Sequence, residues 1–137
     1  MSSFGKRSTD NLKNVHPDLV RVLSAAVSTA GELNDFTVIC GHRNKFDQEA
    51  AFRRGASKAH FGQSPHNKIP SCAIDFIPYF HDRKFTDEDW NNLPAFTRIA
   101  SHIKDAARKL KVNITWGGDW KSFKDYPHIE LTNWRNM

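Results

Sequence analysis

An aspartate interrupts the most strand-like stretch of this 137-residue chain. In residues 72–80, CAIDFIPYF, the side chains of Cys72, Ala73, Ile74, Phe76 and Ile77 suit a buried strand, yet Asp75 stands among them. An ionised carboxylate removed from water is costly unless a cation or hydrogen-bond donors meet it. Alternation along an extended chain puts Ala73, Asp75, Ile77 and Tyr79 on one side and Cys72, Ile74, Phe76 and Pro78 on the other. Any fold this chain adopts must therefore bring a cationic partner to the Asp75 side of that strand.

The pattern around it predicts the other elements. Leu12, Val15, Leu19, Val22, Leu23, Ala26 and Val27 recur at three- and four-residue steps, which reads as helix over about 9–30, with Pro17 dividing it into a short turn and a longer helix and Gly31 as a stop. DFTVICG (35–41) reads as a strand. NKFDQEAAFRRG (44–55) reads as a short amphipathic helix with Phe46, Ala50 and Phe52 on its apolar side. Residues 56–71 carry turn formers and no period, and are expected to be an ordered loop; 81–84 reads as a turn. Thr86 is placed as a helix cap before acidic residues, and 93–110 has Phe96, Ile99, Ile103, Ala106, Ala107 and Leu110 at helical spacing. Short strands follow at 112–116 and 128–134 around a loop. Without regular βαβ spacing, the order points to an α+β domain, a small mainly antiparallel sheet with helices packed on it. The length fits one domain.

Composition narrows the partners. With 39% hydrophobic and 26% charged residues the chain is an ordinary folded protein. No stretch reaches the roughly 18–20 apolar residues that cross a bilayer, and MSSFGKRSTDNLKNV lacks the apolar core of a secretory signal, so synthesis in the cytoplasm is expected. Cys40 and Cys72 lie in apolar segments and read as free structural thiols. A net charge of +5 and a pI near 9.4 favour a polyanion such as nucleic acid, anionic lipid or an acidic cell envelope, and are equally compatible with plain solubility.

The chemistry-bearing residues are far apart in sequence. His66 and Asp75 cannot share a helical face across nine residues interrupted by Pro65 and Pro70, but meet if the loop folds back over the strand. DYPHIEL adds Asp125, His128 and Glu130, the last two on one face by alternation. Two neutral imidazoles and one carboxylate are a donor set of catalytic zinc, leaving a position for water, and a further carboxylate can then move the proton. Asp125 and Glu130 both remain open for that role. So does a simple pairing of Asp75 with one of the 20 Lys and Arg residues.

SPHNKIPSCAIDF (64–76), WGGDW (116–120) and DYPH (125–128), in this order, resemble the zinc-dependent peptidoglycan peptidases of the D-alanyl-D-alanine carboxypeptidase superfamily. The resemblance is strongest to the L-alanyl-D-glutamate peptidases used as phage endolysins and bacterial wall hydrolases, and it extends over about residues 4–131. It implies a zinc cofactor, in a cleft over the sheet, held by His66, Asp75 and His128, with Asp125 as general base. Arg43, in GHRN, matches an arginine near the site that could hold a substrate carboxylate or a developing oxyanion, and Gln48 and Ser64 match cleft-lining positions. Trp116 and Trp120 would serve as core or cleft wall. The relatives have a shorter His-to-Asp segment containing a glycine, so NKIPSCAI, with Pro70 and Ser71, is expected to take its own path.

The implied protein is a monomeric endolysin, one catalytic domain over 1–137 without a separate wall-binding domain. It would cleave the L-alanyl-D-glutamate bond of the peptidoglycan stem peptide, bind the anionic cell envelope and no nucleic acid, and reach the wall after release during phage lysis. Two alternatives stand beside it. One is a D,D-carboxypeptidase or dipeptidase of the same superfamily. The other is a non-enzymatic nucleic-acid-binding module with HRNKFDQEAAFRRGASK as its cationic face, which Asp47 and Glu49 weaken.

Overall fold

The computed structural model describes residues 4–137. Four strands, β1 (Phe36–Cys40), β2 (Ala73–Pro78), β3 (Ile114–Trp116) and β4 (His128–Leu131), form one antiparallel sheet in the order β1-β2-β4-β3. Opposite β2, β4 places Ile129 beside Ile74, His128 beside Asp75 and Glu130 beside Ala73. The pleat therefore sorts the two strands into an apolar face with Ile74, Phe76 and Ile129 and a polar face with Asp75, His128 and Glu130. Helices α2 (Pro17–Ser28) and α4 (Leu93–Leu110) cover the apolar face. Leu19, Val22 and Leu23 of α2 and Phe96, Ile99 and Ile103 of α4 are fully buried there. The Phe76 ring lies between those of Phe36 and Phe96, with centroids 6.0 and 5.6 Å away.

The expected α+β architecture is thus present, and the 93–110 helix has the expected limits. Its start is fixed by Asn92, whose side chain accepts from the Ala95 N–H, and its end by Lys111 in the left-handed conformation at φ 60°. Other expectations need correction. The first helix begins earlier, as α1 (Lys6–Asn11), and the chain leaves it through Asn14 at φ 62° before Pro17 opens α2 as its first residue. Thr86 does cap, as expected, a short 3-10 helix, Asp87–Asn91, with acidic residues in its first turn; its N–H donates to Asp89, which also takes a paired contact from Arg83. Helix α3 (Lys45–Arg53) buries Gln48 and Ala51, whereas Phe46 is 76% exposed. The last strand stops at Leu131, and Trp134–Asn136 form a 3-10 turn. No helix of the described residues is long and apolar enough to cross a membrane.

Two tertiary anchors hold the loops that reach the polar face. The outward backbone groups of the edge strand β1 are met by α1: the Val38 N–H donates to Ser8 Oγ, and Asn11 donates to the Val38 carbonyl, both at 2.9 Å. This closes an edge that would otherwise invite pairing with another chain. The Pro70–Ser71 segment docks on residues 14–16, with Ser71 N–H donating to the Asn14 carbonyl and His16 N–H to the Ser71 carbonyl. That contact anchors the segment between His66 and Asp75. A Cβ at Gly41 would overlap the Asn11 carbonyl, so only glycine lets β1 run into residues 42–44 this close to α1. Replacing Phe76 with Ala is expected to cost about 3–5 kcal/mol in urea unfolding, as for other large aromatic core truncations; a loss below about 1 kcal/mol would contradict its place at the centre of the sheet–helix interface.

Candidate active site

Asp75 is the hub of the polar face. Its Oδ1 lies 3.4 Å from His66 Nε2 and 3.5 Å from His128 Nδ1, and His66, Asp75 and His128 each offer an atom within 4.8 Å of the others. Three separate elements supply them. His66 sits in a 3-10 turn, Pro65–Asn67, that is capped by Ser64 and tied to β2 by Cys72 N–H donating to the Pro65 carbonyl. Asp75 and His128 are direct cross-strand partners. A register shift between Val38 and Cys40 bulges β1 beside them and sets Cys40 opposite Asp75.

Hydrogen bonding assigns which nitrogen of each ring faces Asp75. His66 Nδ1 is 2.8 Å from the Gly41 carbonyl, an acceptor only, so that nitrogen donates there and Nε2 is the one that faces Asp75. His128 is turned the other way round: Nε2 donates to Glu130 at 2.8 Å and Nδ1 is left free. Glu130 therefore stands behind His128. One of its oxygens meets His128 and the other accepts from the Trp134 N–H.

Asp125 reaches the cluster from the other side, with Oδ2 3.9 Å from His128 Nδ1. The WGGDW turn puts it there. Asp125 N–H donates to the Gly117 carbonyl at 3.0 Å, and a Cβ on Gly117 would overlap the Asp125 backbone. Trp116 ties the far end by donating to the Tyr126 carbonyl at 2.7 Å. The Trp120 ring, 5.1 Å from that of His128, forms a wall beside it.

Arg43 approaches Asp75 from behind, with a guanidinium nitrogen 3.4 Å from Oδ2. Its other arm donates to Gln48 at 3.0 Å. Gln48 is fully buried, and its amide donates in turn to Ser57 and the Ala59 carbonyl. Ser64 is 5% exposed and accepts from the His66 N–H. Both of these expected cleft-lining residues are buried and make internal contacts: Gln48 braces Arg43, and Ser64 orients the His66 turn. Sequence reasoning missed the Gly41 carbonyl and Trp134 as partners of the site; both act through contacts that no local pattern encodes.

The charges are strongly coupled. Burial works against a charged His66, but the adjacent Asp75 carboxylate outweighs it and carries the imidazole up to about 10. His128 is raised likewise, burial being outweighed by Asp75 and Glu130. Asp75 is held well below the usual carboxylate range, the two imidazoles overcoming its burial. Asp125 is pushed up, first by burial and then by the Asp75 charge.

The residues fit a divalent metal. Asp75 Oδ1 is buried and lacks a hydrogen-bond partner, an arrangement that is unfavourable for a carboxylate oxygen unless an ion completes it. Ligands about 2.0–2.1 Å from a tetrahedral zinc lie about 3.3–3.5 Å from each other by simple geometry, and the two donor separations at Asp75 are 3.4 and 3.5 Å.

A small antiparallel α+β fold with a buried His–Asp–His cluster able to hold a metal defines the class of this protein. The chain belongs to the phage L-alanyl-D-glutamate peptidase family, whose model matches residues 1–133. It is 32% identical to the L-alanyl-D-glutamate peptidase of Escherichia phage T5 over 130 residues, 93% of this chain and 88% of the relative. It is 31% identical over 117 residues to the peptidoglycan L-alanyl-D-glutamate endopeptidase CwlK of Bacillus subtilis, covering 80% of this chain and 66% of that one. The crystal structure of the Serratia marcescens L-Ala D-Glu endopeptidase ChiX matches with a TM-score of 0.76 and 33% identity, over 98% of this chain and 92% of that one.

The His66–Asp75 coupling sets the pH behaviour of the metal-free site. The raised imidazole contributes stability that is complete below its unfolded value of about 6.5 and is lost as the pH rises through about 10. The depressed carboxylate contributes stability present above its unfolded value of about 3.9 and lost in stronger acid. An incoming ion must displace the His66 proton. Uptake at pH 7–8 is therefore expected to release about one proton from this group, with affinity rising with pH; weakly buffered indicator titration measures it, and uptake without proton release would contradict the pairing.

Proposed function

We propose that this chain is a zinc-dependent peptidase that hydrolyses the L-alanyl-D-glutamate bond of the peptidoglycan stem peptide. The observation that carries this reading is the convergence of His66 Nε2, Asp75 Oδ1 and His128 Nδ1 around one point, in a chain about a third identical to peptidases named for that bond. Bound zinc supplies Lewis acidity and lowers the pKa of a bound water to near neutrality.

The protein's own groups do the rest. His66, Asp75 and His128 would hold the ion. Asp125, with a carboxyl raised by burial and by Asp75, accepts the proton of the attacking water and returns it to the departing D-glutamyl amine, the task of a general acid–base. Arg43 keeps Asp75 aimed through Oδ2 and adds positive charge beside the carbonyl oxygen as it turns anionic. Trp120 bounds the site next to His128.

The surrounding biology is part of the proposal: a monomer that acts as one catalytic domain, draws on its net charge of +5 to approach the anionic envelope, and reaches the wall after release from the host cell. Digestion of purified peptidoglycan, followed by mass spectrometry of the fragments, tests it. Wild type is expected to expose new D-glutamate amino termini, to lose activity with a chelator and to regain it with zinc. Asp125→Asn is expected to keep its zinc while losing about 10²–10⁴ in rate. Fragments ending at D-alanine would instead place the chain with the D,D-carboxypeptidases, and digestion untouched by chelator and by His66→Ala would remove the zinc mechanism.

Gly117→Ala isolates the placement of Asp125. A shift of about 1 Å is expected to cost on the order of 10²-fold in kcat with zinc content unchanged, because the overlap falls on the Asp125 backbone and not on the three donors. Full activity in this variant would show that Asp125 need not sit where the turn holds it.

A further inference from the structure

We propose that Glu130 and Trp134 are positioning residues that set the affinity of the metal centre by fixing which nitrogen of His128 faces it. The inference rests on the reading of His128 as a zinc ligand and adds two residues outside the donor set.

Glu130 is 9% exposed, and each of its oxygens meets one donor: Oε1 the His128 Nε2 at 2.8 Å and Oε2 the Trp134 Nε1 at 3.1 Å. An ionised carboxylate only accepts, so both neighbours donate. The proton on Nε2 leaves the Nδ1 lone pair of His128 pointing toward Asp75 and Asp125. The ring can hold neither the other tautomer nor a flipped orientation without stranding a buried carboxylate oxygen, which is costly. A carboxylate behind the imidazole also makes it a more basic ligand, and such partners commonly govern metal affinity.

Trp134 is what holds Glu130. It is 5% exposed, packs in the core, and opens the Trp134–Asn136 turn directly beyond β4. The same turn grips the other arm of the site. Lys68, two residues after His66, donates to the Met137 carbonyl at 2.8 Å, and Cys72 Sγ lies 3.9 Å from Met137 Sδ. The segment 134–137 therefore touches the elements that carry His66 and His128. The family model ends at residue 133, so Trp134 lies beyond the matched region.

The test uses the full chain stripped of metal, with zinc affinity measured by competition against a chromophoric chelator and ligand geometry read from the visible spectrum of the cobalt-loaded protein. Glu130→Gln is expected to weaken zinc binding by about 10- to 100-fold. Trp134→Phe removes the N–H donor together with part of the ring volume while keeping an apolar aromatic in the core, and is expected to weaken binding by about two- to tenfold, the worth of one hydrogen bond. Both are expected to shift the cobalt bands. A purely structural role would lower the thermal stability of the metal-free protein and leave the affinity and the bands of the folded form unchanged, and that result in both variants overturns the proposal. If Glu130→Gln does not fold, Trp134→Phe decides alone; an effect confined to Glu130→Gln overturns the part assigned to Trp134. Wild type that binds zinc no better than His66→Ala would overturn the metal reading itself, and this inference with it.

Discussion

The pairing of Asp75 with His128 across β2 and β4 is the constraint on which the rest of the molecule depends. It cannot be adjusted alone, because the side-chain period of a strand is two and a slip of one residue would turn His128 toward the helices. What fixes the register is the neighbouring pair, Ile74 beside Ile129, both fully buried under α2 and α4. Burying side chains of this kind contributes about 1.5–3 kcal/mol each, and slippage would forfeit several of them at once. The apolar face of the sheet thereby holds the polar face in register. A cluster of buried charges is of uncertain benefit to stability, since desolvation can exceed the Coulombic gain. Here the core offsets it, and an ion bound to the folded state alone adds its binding energy to folding.

The remaining parts of the site are brought in by backbone contacts and not by further strand pairing. His66 is on a turn, yet that turn is tied to β2 through Cys72 and to β1 through Gly41 and the Arg43 N–H, which donates to the His66 carbonyl at 2.8 Å. Asp125 is on a loop, yet Gly117 brings the backbone of β3's end against it. Loops carry these groups because they can reach across the sheet. Buried hydrogen bonds then remove the mobility that catalytic geometry could not tolerate.

What could be read in advance follows from the range of the interactions. Helix α4 was legible because its apolar period, from Phe96 to Leu110, is local. Strand β2 and the oddity of Asp75 were legible because an aspartate in an apolar run violates a local rule. The His–Asp–His set came from residue types and from a family resemblance, since its members lie up to 62 positions apart in the chain, from His66 to His128. The face of α3 was misjudged because hydrophobicity pointed to Phe46 while the buried group is Gln48, whose polar amide is satisfied by Arg43, Ser57 and Ala59. Burial of a fully bonded polar side chain leaves no trace in hydropathy. Glu130 was placed on the correct face by alternation, but its position behind the ring depends on rotamers and on Trp134, which periodicity does not carry.

Charge balance explains why the arrangement suits a divalent ion in particular. Asp75, Glu130 and Asp125 place three carboxylates around His128, and Arg43 is the one guanidinium in contact with Asp75. With all four ionised and both imidazoles neutral, two negative charges remain. A divalent cation neutralises them; a monovalent one leaves a buried surplus, which a low-dielectric site penalises. In the metal-free protein the same carboxylates raise His66 and His128 against the cost of their burial, and Asp125 is raised first by its own burial and then by Asp75. The raised imidazoles and the metal-ligating geometry therefore share one cause: Asp75, Asp125 and Glu130 gathered around two histidines.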